Sequence, residues 1–141
     1  MRILVPVDGS KPSLRAVRLA IAMARSSPRS EILLVNVQNT AMLEYGGLGA
    51  STPALLRQAV EREGTAALKP AVALCKASKL SYHAQIETGP IAETAMRIAK
   101  RKRATHIVMG TRGMGGIRNL VLGSVATQLI HLATMPVTLV K

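Results

Sequence analysis

Met109-Gly110-Thr111-Arg112-Gly113-Met114-Gly115-Gly116-Ile117-Arg118-Asn119-Leu120-Val121-Leu122-Gly123-Ser124 is the stretch on which the reading of this chain turns. Just before it, Ala104-Thr105-His106-Ile107-Val108 is a short β-branched run of the kind that forms a buried strand. Just after it, residues 125–132 carry apolar side chains at helical spacing. The order is therefore strand, glycine-rich loop, helix, with Gly123-Ser124 at the helix start and Ser124 suited to be the N-cap. A helix start presents free N–H groups and a partial positive charge, which suit a phosphate. Glycines at 110, 113, 115 and 116 permit positive φ and let an anion approach the backbone. Arg112 and Arg118 add charge within the same loop. A glycine cluster alone is equally compatible with a plain surface connection. Its position favours a phosphate cradle, because ligands in parallel α/β sheets sit beyond the carboxyl ends of strands.

The common phosphate-loop signatures are absent. There is no G-x-x-x-x-G-K-[ST], and no G-x-G-x-x-G follows the first strand, where only Gly9 is available. What the chain has is Gly110, two residues, Gly113, nine residues, then Gly123-Ser124. This spacing resembles the nucleotide-binding motif of the universal stress protein family, in its ATP-binding branch. A second stretch agrees: Ile3-Leu4-Val5-Pro6-Val7-Asp8-Gly9-Ser10 is similar to that family's opening strand and turn. The resemblance extends over residues 2–140, specific at both ends and weak in the middle.

Bulk properties are consistent with one domain over residues 1–141, long enough to bury a core. The core must be aliphatic, since Trp and Phe are missing and Tyr45 and Tyr82 are the only tyrosines. A hydrophobic content of 48% excludes disorder by composition. No apolar run is long enough to span a bilayer, and Asp8 interrupts the first one too early for a signal peptide. Cys75 stands alone, so no internal disulfide forms. These features predict a soluble, cytoplasmic protein.

The formal net charge of +12 marks a surface that attracts anions. Nucleic acid, nucleotide or anionic lipid would each answer to it, but two tyrosines offer no stacking platform for single strands. The densest run, Arg97 with Lys100 to Arg103, falls at the end of an expected helix, where cations complement the helix terminus. That accounts for this run and leaves the overall excess unexplained.

Along the chain, residues 2–7 read as a strand buried on both faces, Asp8-Gly9-Ser10 as a turn, and 13–25 as an amphipathic helix with Pro12 in its first turn. A second strand is expected over 31–37 and a loop over 38–51. Thr52-Pro53 reads as an N-cap and first helical residue. That helix carries Gly64 and Pro70, and a kink or break is expected near Lys69. A more exposed strand over 80–87, a helix opened by Gly89-Pro90, the strand before the glycine loop, the last helix and a strand over 136–140 complete the chain. Alternating strands and helices imply a parallel sheet with right-handed crossovers. The resemblance makes this a doubly wound, Rossmann-like, adenine nucleotide alpha hydrolase-like sheet of five parallel strands in the order 3-2-1-4-5, with helices on both faces.

In that order the first and fourth strands are neighbours whose connections leave in opposite directions, and the crevice between them is the expected ligand site. The resemblance places Asp8 on the adenosine side, where a carboxylate accepts from a sugar hydroxyl or base amine. By residue type alone, Asp8 is as readily a turn residue bonding its own backbone. It sets the Val37 backbone against adenine, although a core-edge valine is the plain alternative. It has Met109 and Gly110 line the nucleoside, and Arg112, Gly113, Gly123, Ser124 and Val125 face the phosphates. ATP is the implied ligand, with magnesium or manganese bridging its phosphates.

Catalysis finds little support. His83, His106 and His131 lack metal-ligand spacing, and Ser10 and Ser124 lack a local base. H-x-G-H and Ser-Gly-Gly-x-Asp-Ser motifs are absent. The expected function is a nucleotide-dependent stress-response regulator. Its rivals are a slow ATPase and, further behind, a basic nucleic-acid or anionic-surface binding module. Family resemblance also implies a homodimer paired through the last strand, Val137 to Val140, an apolar edge that invites pairing.

Overall fold

A computed structural model of the chain describes residues 1–40, 52–113 and 122–141. Five strands, β1 (Arg2–Pro6), β2 (Glu31–Gln38), β3 (Ser81–Thr88), β4 (His106–Gly110) and β5 (Val137–Val140), form one sheet. All pairings are parallel, in the order β3-β2-β1-β4-β5. Among the described residues four helices connect them: α1 (Lys11–Arg25), α2 (Pro53–Ser78), α3 (Ile91–Arg101) and α4 (Ser124–Leu132). The strand order and the doubly wound architecture are those expected.

The faces follow from the period-two alternation of strand side chains. Ile3, Val5, Ile32, Leu34 and Val108 point to one face and are covered by Val17, Ala20 and Ala24 of α1 and Leu68, Ala71 and Cys75 of α2. Leu4, Leu33, Val35, Ile107 and Met109 point to the other, beneath Ala95, Ile98 and Ala99 of α3 and Ala126 and Leu129 of α4. Strands enclosed on both faces need continuous apolar runs, which β1 and β2 supply. β3, at one edge, has no fully buried residue and is more exposed than β2, the other long strand, as expected.

Helix starts follow the local sequence. Ser10 caps α1 by accepting from the Ser13 amide at 3.3 Å, with Pro12 in the first turn. Thr52 caps α2 by accepting from the Leu55 amide at 3.3 Å. The expected break near Lys69 is absent: α2 runs 26 residues through Pro70. A proline there removes one hydrogen bond, but Leu68, Ala71 and Cys75 on the buried side of the helix pack it onto the sheet on either side of that residue. Gly64 does not disturb the helix either. It lets α2 lie against β3, since a Cβ there would come within 2.7 Å of the Ile86 side chain. Burial pushes the Cys75 thiol up to about 11, so it stays protonated at neutral pH. Among the described residues no helix is long and apolar enough to cross a membrane.

Candidate nucleotide site at the carboxyl end of the sheet

β1 and β4 lie side by side, with Ile3 opposite His106 and Leu4 opposite Ile107. Carried forward, that register sets Val7 level with Gly110. Past this level β1 turns into α1 on one face, while the chain leaving β4 enters α4 on the other. A crevice opened by such a divergence is the usual place for a ligand in parallel α/β sheets.

Asp8 stands at its β1 side. Its Oδ1 accepts from the Ser10 amide at 2.9 Å, so it does act as a turn residue. Its other oxygen faces the glycine loop: a Cβ on Gly113 would lie 2.5 Å from Asp8 Oδ2. A side chain there would have to displace the tip of the Asp8 carboxylate, so the Gly113 backbone lies close beside that carboxylate. Gly110 has a different reason. A Cβ there would strike Pro12 at 2.8 Å, so this glycine lets β4 end against the start of α1. Gly123 closes the loop from the far side, its amide donating to Thr111 O at 2.7 Å. The expectation of positive φ fails at 110 and 113, because among the described glycines only Gly9 and Gly89 adopt it. Close approach, not left-handed backbone, is what these glycines supply. Gly115, Gly116 and Arg118 lie outside the described residues.

Ser124 is not the N-cap of α4. Gly123 takes that place, with φ −73° and ψ 158°, and Ser124 is the first helical residue. A glycine cap has no side chain to occupy the first-turn amides, and α4 has no side-chain cap bond. α1 and α2 both have one. The first intrahelical bond runs from the Thr127 amide to Gly123 O at 3.0 Å, which leaves the amides of Ser124, Val125 and Ala126 ahead of it. Those donors, next to the exposed Arg112, suit an anion and need no carboxylate of their own.

The remaining expected residues sit nearby with different exposures. Met109 is buried in the α3–α4 face of the core, so only its backbone reaches the crevice. Val37, near the end of β2, and Val125 are partly buried against the same cluster. Two polar residues passed over in the sequence hold the rim together. Buried Asn36 donates from Nδ2 to Val7 O at 2.7 Å, tying the ends of β2 and β1. Thr111, also buried, donates its amide to Val140 O at 2.8 Å and accepts from Gly123, joining the loop to β5. An asparagine inside an otherwise apolar strand run (Leu34-Val35-Asn36-Val37) was the available signal for the first. Among the described residues no group of three or more His, Cys, Asp or Glu side chains could hold a metal ion.

The model of the universal stress protein family matches residues 1–141. The chain belongs to the universal stress protein family. A universal stress protein of Methanocaldococcus jannaschii, MJ0531, is 33% identical over 141 residues, covering 99% of this chain and 81% of that protein. The solved structure of the hypothetical protein MJ0577 superposes with a TM-score of 0.85 at 21% identity, covering 99% of this chain and 94% of that one. A universal stress family protein of Arabidopsis thaliana, At3g01520, solved with AMP bound, superposes at 0.70 with 22% identity, covering 100% of this chain and 91% of that one. The likeness to the solved structures is one of fold. The crevice described above lies within the fold these universal stress proteins share.

Proposed function

We propose that this universal stress protein binds ATP in the β1–β4 crevice and acts as a nucleotide-dependent regulator, a single cytoplasmic domain over residues 1–141. The observation that carries this reading is the cradle at Gly113, which a Cβ would fill against Asp8. It is supported by the uncapped start of α4, and by the AMP held in the Arabidopsis family member. Asp8 and the Val37 backbone would face the nucleoside, together with Met109 and Gly110. Arg112, Gly113, Gly123, Ser124 and Val125 would surround the phosphates, whose charge calls for magnesium or manganese. Bound triphosphate would offset the repulsion among the many cations of this chain. The protein would pair with a second copy through β5, whose four residues are all half-buried at a sheet edge.

Calorimetry with ATP, AMP and tripolyphosphate at raised salt tests the site. Specific recognition gives ATP the highest affinity and makes the Gly113→Val variant at least about tenfold weaker, roughly 1.4 kcal/mol. Equal affinity for ATP and tripolyphosphate would reduce the site to charge attraction. The ultraviolet spectrum of the purified protein is a direct check, since adenine would dominate the absorbance of a chain with two tyrosines and no tryptophan. Light scattering that gives a monomer mass at micromolar concentration would remove the dimer.

A further inference from the structure

The opposite end of the sheet has a charge pattern that nucleotide binding does not use. α1, α2 and α3 all end there, ahead of β2, β3 and β4. Each of these three junctions puts a basic residue in left-handed backbone: Arg29 at φ 60°, Lys79 at φ 58° and Arg103 at φ 54°. They are the only non-glycine residues with positive φ among those described. At the end of α3 the geometry is a full Schellman motif. The Arg103 amide donates to Lys100 O at 3.1 Å and the Ala104 amide to Ala99 O at 2.8 Å. Glycine is the usual residue at the place Arg103 holds, because an L side chain is strained there. The helix dipole does not require this arrangement, since cations in the last helical turn complement it and Arg25, Lys76 and Lys100 already occupy those turns.

Sheet order brings the junctions into line. Lys79, Arg29, Arg2 and Arg103 stand at the base of four successive strands, β3, β2, β1 and β4. With strands about 4.8 Å apart the row is about 14 Å long. Arg2 is engaged by Glu31 at 3.1 Å and donates to Lys102 O at 3.0 Å, which fixes the turn that presents Lys102 and Arg103. Arg29, Lys79, Lys102 and Arg103 are exposed, and none has an ion pair among the described residues.

We propose that this row is a second binding surface, which holds the phosphate backbone of double-stranded nucleic acid without reading its sequence. A duplex carries a phosphate about every 1.7 Å of its axis over both strands, so a row of this length meets several cation-accepting positions as the strands wind past it. Single strands are disfavoured, because among the described residues the one aromatic side chain other than histidine, Tyr82, packs against the core, and the chain has no Trp or Phe. A lipid surface is disfavoured because no large exposed apolar side chain stands between the cations of the row: among the described residues Leu19 and Leu55 lie on α1 and α2, and Ile130 and Leu132 in the last turn of α4, ahead of β5.

The test measures duplex DNA binding across a salt series for the full chain and for the triple variant Arg29→Gly, Lys79→Gly, Arg103→Gly. Glycine relieves the backbone strain, so melting temperature should hold or rise. Duplex affinity should fall at least tenfold, and the slope of log K against log salt should become shallower by about 2.7, or about 0.9 for each position replaced singly. Gly113→Val should bind duplex like the parent, which separates this surface from the nucleotide site. A control variant, Arg18→Gln, Arg57→Gln, Lys69→Gln, removes the same charge elsewhere and should lose far less. An equal loss in the control, an unchanged slope in the triple variant, or binding to phosphatidylserine vesicles in place of duplex would each overturn the proposal.

Discussion

The two ends of the sheet handle backbone geometry in opposite ways. At the carboxyl end, close approach is met by glycine: Gly110 against Pro12, Gly113 against Asp8, Gly123 against Thr111. None of the three needs a left-handed φ. At the amino end, left-handed backbone is required at three junctions, and each time the residue is Arg or Lys. Glycine also takes the left-handed positions at the carboxyl end, Gly9 at φ 83° and Gly89 at φ 130°, whereas the left-handed positions at the amino end carry Arg or Lys. Steric exclusion explains the first pattern. The second retains strain of about 1–2 kcal/mol per residue, and what that strain keeps in place is a cation.

The contrast can be broken most severely at Gly110. Valine there must displace Pro12 at the start of α1, and urea unfolding should show a loss of about 3 kcal/mol, at the upper end for overpacked sites. If Gly110→Val proved neutral, the carboxyl-end glycines would not be sterically required. Gly123→Ala is a finer probe. Its φ of −73° suits alanine, and the new Cβ meets Thr111 O at 3.3 Å, so the fold should survive with a cost near 1 kcal/mol from the poorer cap. ATP affinity should fall by about tenfold, measured by calorimetry, because the methyl group meets the Arg112 backbone beside the proposed phosphate site. Retained affinity would shift the phosphates away from α4. At the amino end the sign reverses. Arg103→Gly should raise stability by up to about 1 kcal/mol in urea melts, since strain is removed and the Schellman bonds remain.

The smallest expected effect concerns Cys75, buried in α2 beneath the amino end. Burial raises its pKa in the folded protein above the ordinary thiol value of 9.0, to about 11. The unfolded thiol ionises first as pH rises. Its contribution to stability is therefore intact below about pH 9 and is lost as pH climbs toward 11. Between pH 8 and 9.5 the loss should stay under about 1 kcal/mol, and Cys75→Ala should remove that part of the slope.

The elements that frame the candidate crevice are legible in the sequence. The spacing of Gly110, Gly113 and Gly123 and the opening turn at Asp8 located both walls of the crevice, and strand hydrophobicity ordered the elements. Thr52-Pro53 announced the start of α2. Other features were legible only in part. Gly123-Ser124 marked the start of α4 to within a residue, but which of the two would cap it depends on how Thr111 O captures the Gly123 amide. Pro70 is a helix breaker by local rules, and only the packing of Leu68, Ala71 and Cys75 shows why the helix continues. Asn36 and Thr111 gave weak signals, because a polar residue near a strand end has no fixed partner until the strands are aligned. The basic run at residues 100–103 read as a solvated helix end, because φ is invisible in a list of residue types.

The sequence by itself determined the alternation of strands and helices, the two faces of β1 and β2, and the glycine positions of the loop, because these rest on local periodicity and on the absence of side chains. Tertiary structure alone decided that Asp8 Oδ2 meets Gly113, that Gly110 yields to Pro12, and that cations far apart in the chain stand in one row. Those facts depend on parallel pairing of β3, β2, β1 and β4, which brings residues tens of positions apart to the same level of one sheet.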